Sequence, residues 1–228
     1  TFRLESFLWN LGAMETAVKT HNKEEYQVWR TIDHLSDALA YLHARNPQIL
    51  HHDLKPNNIL GVKELSTFEK GHKTTWKLAD FGVAKMLTRE AKEAYYGGDA
   101  PGVPTYMGPE VLRDFETYSS ASDVWSLGCV IAFYMRGGKH VFNCNDDVLF
   151  YRPSMASDMI FDEERTNNYS STLVQLVCSM IQVMRIAYKI DVYMPFQLTS
   201  LQPGFRKRPT AEQVWEMCTN DKCERGLH

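Results

Sequence analysis

The amino-acid sequence points to a mainly α domain, an α+β arrangement in which short hairpins are set among long helices. Three observations carry this. Val28, Ile32, Leu35, Leu39 and Leu42 recur at three- and four-residue steps, which draws one apolar stripe along a helix. The run from Ser122 to about Met135 is apolar on nearly every side and too short to cross a bilayer, so it belongs at the centre of a sizeable core. Ile59–Val62 and Thr75–Leu78 are short β-type runs between the two helical signals. With 228 residues and 44% hydrophobic content, the chain is long enough to bury such a core as one domain, 1–228.

Taken in order, residues 1–20 carry Phe7, Leu8, Leu11, Met14 and Val18 at helical spacing, which predicts a surface helix with one packed face. Asn22 is placed to cap the next helix, whose first turn holds Glu24 and Glu25, where acids suit the dipole. Asn46-Pro47 ends that helix. After the stretch Ile49–Leu60, the strands 59–62 and 75–78 are expected to flank an exposed polar insertion, 63–74. Gly97, Gly98, Pro101 and Gly102 predict an irregular segment over 83–110. The apolar helix from Ser122 follows. Another apolar helix is expected over 172–187, then a long connection, 188–202, and Arg208-Pro209-Thr210 ahead of a last helix reaching Met217.

The stretch Ile49–Leu60 reads I-L-H-H-D-L-K-P-N-N-I-L, with Asp53 two residues before Lys55 and five before Asn58. Phosphoryl transfer needs positioning and charge compensation more than covalent help. An acid to orient a hydroxyl, a cation for the phosphate and an amide for a metal meet those needs in one short loop. The alternative is a polar turn between strands, with Asp and Asn there for turn chemistry.

This run resembles the catalytic loop of eukaryotic protein kinases, H-R-D-L-x-x-x-N. Other motifs of the family follow in the family's order. Asp80-Phe81-Gly82 ends the second strand. Gly102-Val103-Pro104-Thr105-Tyr106-Met107-Gly108-Pro109-Glu110 is similar to the substrate-docking loop and its terminal Ala-Pro-Glu, with Gly108 in place of Ala. The resemblance implies a helical kinase C-lobe with 49–60 as catalytic loop and 80–110 as activation segment. It implies ATP and Mg²⁺ as cofactors and a protein serine or threonine hydroxyl as acceptor. Asp53 would accept or orient the hydroxyl proton, and Lys55 would neutralise the transferring phosphate. Asn58 and Asp80 would hold the metal, and Leu60 would lie under the adenine. It also implies that Phe81 packs on His51, that Asp123 anchors the loop backbone and that Arg208 pairs with Glu110.

The family pattern is not matched throughout. No glycine-rich phosphate turn, strand lysine or partnering helix glutamate precedes residue 22, so the expectation is a chain holding the C-terminal lobe only, the N-lobe absent. The opening Thr1 adds the expectation of a fragment, whose cleft would be covered by a partner or by the missing lobe. His52 takes the place of the family's Arg, which a neutral imidazole does not replace as a phosphate ligand. Val103 stands where a hydroxyl is usual. A non-catalytic lobe acting as an interaction module is therefore the rival reading. A small-molecule phosphotransferase is a third, though it does not explain Gly-Pro-Glu followed much later by Arg-Pro-Thr.

A net charge of −3 gives no reason to expect nucleic acid as a partner, and no apolar run long enough to span a membrane is present. Five cysteines without a C-x-x-C pair read as reduced thiols, which suits a cytoplasmic or nuclear location. Asn168-Tyr169-Ser170 is a formal glycosylation sequon with nothing else to support secretion.

Overall fold

The computed structural model describes residues 11–17, 24–65, 72–87, 104–113, 118–152, 169–182 and 208–224. Two helices organise them. The first, α2 (Glu25–His43), carries the predicted stripe, and its Val28, Ile32, Leu35 and Leu39 are buried. Its last carbonyls are tied off locally: the Ala44 amide donates to Ala40 O, and Gln48 Nε2 reaches His43 O at 3.0 Å. The second, α4 (Ser120–Met135), is buried at every position from Ser122 to Met135, as an all-round apolar helix must be. Its start is fixed by Ser119, whose amide donates to Ser122 Oγ at 3.3 Å.

α4 lies between α2 and a helix of the last third of the chain, α6 (Ser171–Met180), while the final helix, α7 (Ala211–Glu224), packs along α2. A latch adds to this frame. Ser170 donates its amide and hydroxyl to the Glu25 carboxylate at 2.8 and 2.6 Å, and Trp29 Nε1 donates to the same group at 3.0 Å. Two short helices, α3 (Pro109–Arg113) and α5 (Asn145–Phe150), add to the helical part.

Two small antiparallel sheets sit against this frame. In one, β1 (Leu11–Ala13), β3 (Ile59–Leu65) and β4 (His72–Leu78) are ordered β1-β3-β4. In the other, β2 (Gln48–Leu50) pairs with β5 (Lys85–Leu87). The site stretch leaves β2 and enters β3, so both its ends are held by sheet.

Three expectations are corrected. Within residues 1–20, Leu11–Ala13 is a strand and only Met14–Ala17, α1, is helical. Ladder bonds to β3, with Gly12 opposite Gly61, outweigh a weak helical period there. Phe7, Leu8, Val18 and Asn22 lie outside the described residues. Within the expected insertion 63–74, residues 63–65 and 72–74 are strand: the β3–β4 register continues from Val62↔Thr75 to Leu65↔His72, because backbone pairing does not require apolar side chains, and 66–71 lie outside the described residues. The helix expected over 172–187 ends at Met180. Ile181 caps it with ψ 42°, and Gln182 then offers its carbonyl to Arg208. The connection 188–202 and the segment 88–103, with Val103, also lie outside the described residues.

Candidate active site

The backbone of the site loop is held from below by one carboxylate. Asp123, on the first turn of α4 and fully buried, accepts four hydrogen bonds. Its Oδ1 takes the His52 amide at 3.0 Å and the Tyr118 hydroxyl at 3.0 Å, and its Oδ2 takes the His51 amide at 2.9 Å and His43 Nε2 at 2.9 Å. Burial opposes ionisation, but the hydrogen bond and charge of His43 and the two amides outweigh it and hold the Asp123 carboxyl below its ordinary value. Asp123 thus clamps the loop as expected from the sequence. His43 and Tyr118 were missed there, since each meets the clamp only through the fold.

His52 bends the loop with φ 68°, in the left-handed region, and packs its ring 3.9 Å from that of Tyr118. Burial lowers the His52 pKa to about 4, with Asp123 opposing and Lys85 and His51 adding to the fall. The ring is therefore neutral near pH 7 and offers no cation.

His51 ties the loop to the strand that ends at Asp80. Its Nε2 lies 3.1 Å from Ala79 O, which can only accept, so Nε2 carries the proton. Nδ1 is then the acceptor for the Asp53 amide at 3.4 Å. Phe81 sits against the same ring, with centroids 5.0 Å apart. Ala79 N in turn donates to Asn58 O at 2.9 Å. Asp80 is a second left-handed residue, φ 62°, and its Oδ1 takes the Gly82 amide at 3.2 Å.

These contacts bring Asp53, Lys55 and Asn58 together. Asp53 Oδ2 accepts from Lys55 Nζ at 2.6 Å and from Asn58 Nδ2 at 2.9 Å. Asn58 Nδ2 also donates to Asp53 O at 2.8 Å, which fixes the amide so that Oδ1 is its remaining polar atom. Among the described residues, neither Asp53 Oδ1 nor Asn58 Oδ1 accepts a hydrogen bond. Asp80 follows directly on Ala79 and is exposed. Leu60, half-buried on β3, lies opposite Ala13 and Lys77.

A hard cation such as Mg²⁺ prefers oxygen ligands, keeps several waters and needs only one or two protein groups beside substrate phosphates. Asn58 Oδ1 and the Asp80 carboxylate fit that description. Among the described residues, no group of three or more His, Cys, Asp or Glu could enclose a metal by itself.

Behind the site, Glu110 on α3 pairs with Arg208 ahead of α7. Arg208 Nη2 donates to Oε2 at 2.8 Å and Nη1 to Oε1 at 2.5 Å, with Ser122 Oγ on Oε1 at 3.1 Å. The guanidinium also donates to Ala121 O at 3.0 Å and lies 4.7 Å from the Trp125 ring centroid. Burial resists the Glu110 charge, but Arg208 prevails and holds the carboxyl below its usual value. A Cβ at Gly108 would stand 2.7 Å from Glu110 Cδ, so glycine suits the position where the motif has Ala.

Comparison with known proteins bears on this geometry. Residues 8–186 match the family model for the protein kinase domain, well over half of the chain. The chain belongs to the protein kinase family. Kinases of this family in general use ATP and Mg²⁺ and act on proteins. Over 177 residues, 76% of the chain, it is 31% identical to the probable serine/threonine-protein kinase nek3 of Dictyostelium discoideum. It is 34% identical over 168 residues, 69% of the chain, to the serine/threonine-protein kinase Nek6 of Oryza sativa subsp. japonica. It is 30% identical over 172 residues, 72% of the chain, to the serine/threonine-protein kinase ATG1 of Pichia angusta. These alignments cover only 14%, 26% and 20% of the relatives' own lengths.

Proposed function

We propose that this chain forms the larger, C-terminal lobe of an ATP-dependent protein serine/threonine kinase. The observation that carries the reading is the shared Asp53 Oδ2, which draws Lys55 and Asn58 to one point and leaves Asp53 Oδ1 open. Asp53 orients the acceptor hydroxyl and takes its proton. Lys55, whose side chain is 22% exposed, turns from Asp53 to the transferring phosphate. Asn58 and Asp80 hold Mg²⁺, which when bound neutralises charge on the nucleotide phosphates. Leu60 supplies the apolar floor for the adenine, and a smaller lobe or a partner covers the cleft above it.

Two measurements test this. In the full-length protein, Asp53→Asn should remove nearly all phosphate transfer from ATP to a serine peptide while nucleotide still binds. In the chain itself, Mg-ATP should raise the melting temperature more than Mg-free ATP, because a ligand of the native state stabilises it by mass action, and Asp80→Asn should abolish the difference. The rival, a non-catalytic interaction module, is favoured by His52, which supplies no charge beside Asp53. Turnover lost on Asp53→Asn excludes it. Absence of turnover in the full-length protein would favour it.

A further inference from the structure

We propose that His140 is a positioning residue for the acceptor protein: it tethers the Tyr106 hydroxyl and so sets the segment on which the serine or threonine peptide docks. The inference rests on the kinase reading above and adds a determinant of peptide binding to it. Tyr106 closes the 3₁₀ turn Pro104–Tyr106, within the segment similar to a substrate-docking loop. Two observations place it beside the site. Burial pushes the Tyr106 phenol far up, with Cys129 and the Glu15 carboxylate adding to the rise, so Glu15 lies within electrostatic reach of it. Glu15 stands on α1, which packs on the 3₁₀ turn Pro56–Asn58 of the site loop. Tyr106 therefore lies on the α1 side of the loop that carries Asp53 and Asn58.

Tyr106 is held at two separate atoms. Ser126 Oγ, on α4, donates to its backbone O at 2.7 Å, and its hydroxyl lies 2.8 Å from His140 Nδ1. The first bond fixes the backbone and leaves the ring free to turn about its side-chain bonds. The second stops that rotation, because a buried phenol that leaves its partner goes unsatisfied. The phenol can donate to a neutral ring or accept from a protonated one, so the tether does not depend on the charge of His140. His140 is itself delivered with little freedom. Gly137 and Gly138 before it are left-handed, with φ 65° and 86°, which glycine adopts without a Cβ penalty. Their amides return to Tyr134 O at 3.3 Å and Phe133 O at 2.9 Å. Arg136 Nη1 donates to His140 O at 2.7 Å, and the Phe133 ring lies 5.1 Å from that of His140. His140 is exposed, so burial of its surface does not account for this arrangement, whereas holding the hydroxyl does. Beyond Tyr106 the chain is fixed independently, by the bonds of Glu110 to Arg208 and Ser122. Loss of the tether should therefore loosen the turn at 104–106 and leave α3 in place.

The test uses the full-length protein and a fluorescent peptide mixture, serine at the centre and degenerate residues on both flanks. Phosphate transfer from ATP reads turnover, and anisotropy reads peptide binding. His140→Ala should raise the apparent KM for peptide about tenfold, the worth of one hydrogen bond, with kcat within about twofold and the KM for ATP unchanged. His140→Asn, which can place an oxygen where Nδ1 stood, should restore most of the loss. Tyr106→Phe keeps the ring and its packing, so it reads the tether even if His140→Ala unfolds, and it should give the same rise in KM. The double variant Tyr106→Phe/His140→Ala should be no worse than either single one, because both remove the same bond. An unchanged peptide KM, a loss confined to kcat, no rescue by Asn, or additive losses in the double variant would each overturn the proposal while transfer itself upholds the kinase reading. Peptide binding weakened by His140→Ala, with no transfer by the unaltered protein, would support the tether and overturn the kinase reading. Neither binding nor transfer would overturn both.

Discussion

Asp123 and Asp53 hold opposite sides of one short loop, yet their surroundings differ in kind. Every acceptor position of Asp123 is filled, by two backbone amides, a phenol and an imidazole, and no water reaches it. Glu110 is similarly enclosed by Arg208 and Ser122. Asp53 and Asp80 are left with open oxygens, one partly screened and the other exposed. A saturated carboxylate can only hold structure, because any new partner must displace an old one. An open carboxylate kept in place by its neighbours is available for chemistry. The two sets should therefore separate when stability and activity are measured on the same variants.

The largest loss of stability is expected at the Glu110–Arg208 pair. Arg208→Ala leaves a buried carboxylate without its cation and should cost about 3–5 kcal/mol in urea unfolding. Replacing both partners with Met should cost far less, since no charge is then stranded. A similar loss in the double variant would mean that the guanidinium works chiefly through Ala121, Gln182 and Trp125.

Asp123→Asn comes next, at about 2–3 kcal/mol, because its amide NH₂ must face donors that now find an acceptor. Tyr118→Phe removes one of the four bonds and should cost about 1 kcal/mol. If Tyr118→Phe proved as harmful as Asp123→Asn, the clamp would be a packing effect of the ring against His52.

A smaller effect belongs to pH. The folded-state pKa of His52 is lowered from 6.5 to about 4, so its contribution is fully present above 6.5 and is lost as pH falls toward 4, where the unfolded chain binds the proton first. Glu110 and Asp123, also lowered, lose theirs below the ordinary carboxylate values of 4.5 and 3.8. Stability should therefore fall in two stages on acidification. His52→Asn should flatten the first stage and leave the second, as followed by unfolding midpoints across the range.

The smallest stability changes are expected at Asp53→Asn, about 1 kcal/mol for the weakened bonds to Lys55 and Asn58, and at exposed Asp80→Asn, within about 0.5 kcal/mol. These same variants should lose the most function. Thermal unfolding beside a transfer assay in the full-length protein checks both halves of the contrast.

The sequence made the helices legible because their apolar residues are numerous and periodic: the stripe of α2 and the unbroken run of α4 allow one reading each. Polar strands were harder. The distal half of β3–β4 carries Lys63, Glu64, Lys73 and Thr74, a polar run without strand alternation, yet its backbones pair in register. β1 was hidden for a different reason, as its partner lies about fifty residues away. Asp53, Lys55, Asn58 and Asp80 stood out through spacing within motifs, but nothing in that spacing revealed which oxygens would be filled. His43 was invisible as a clamp residue because its partner is 80 residues further along the chain. Tyr118 lies only five residues before Asp123, yet an aromatic at that interval carries no signal until the ring of His52 is placed on it.

The bends at His52 and Asp80 have a consequence for which substitutions the chain tolerates. Left-handed backbone disfavours branching at Cβ and is accepted most readily by Gly, Asn and Asp. In a library of single variants selected only for folded, soluble protein, Val, Ile and Thr should be depleted at both positions and Asn retained. A second round selected for phosphate transfer should keep that pattern at position 52 and narrow position 80 to aspartate. The difference between the two rounds would separate what the backbone demands from what the chemistry demands, one residue at a time.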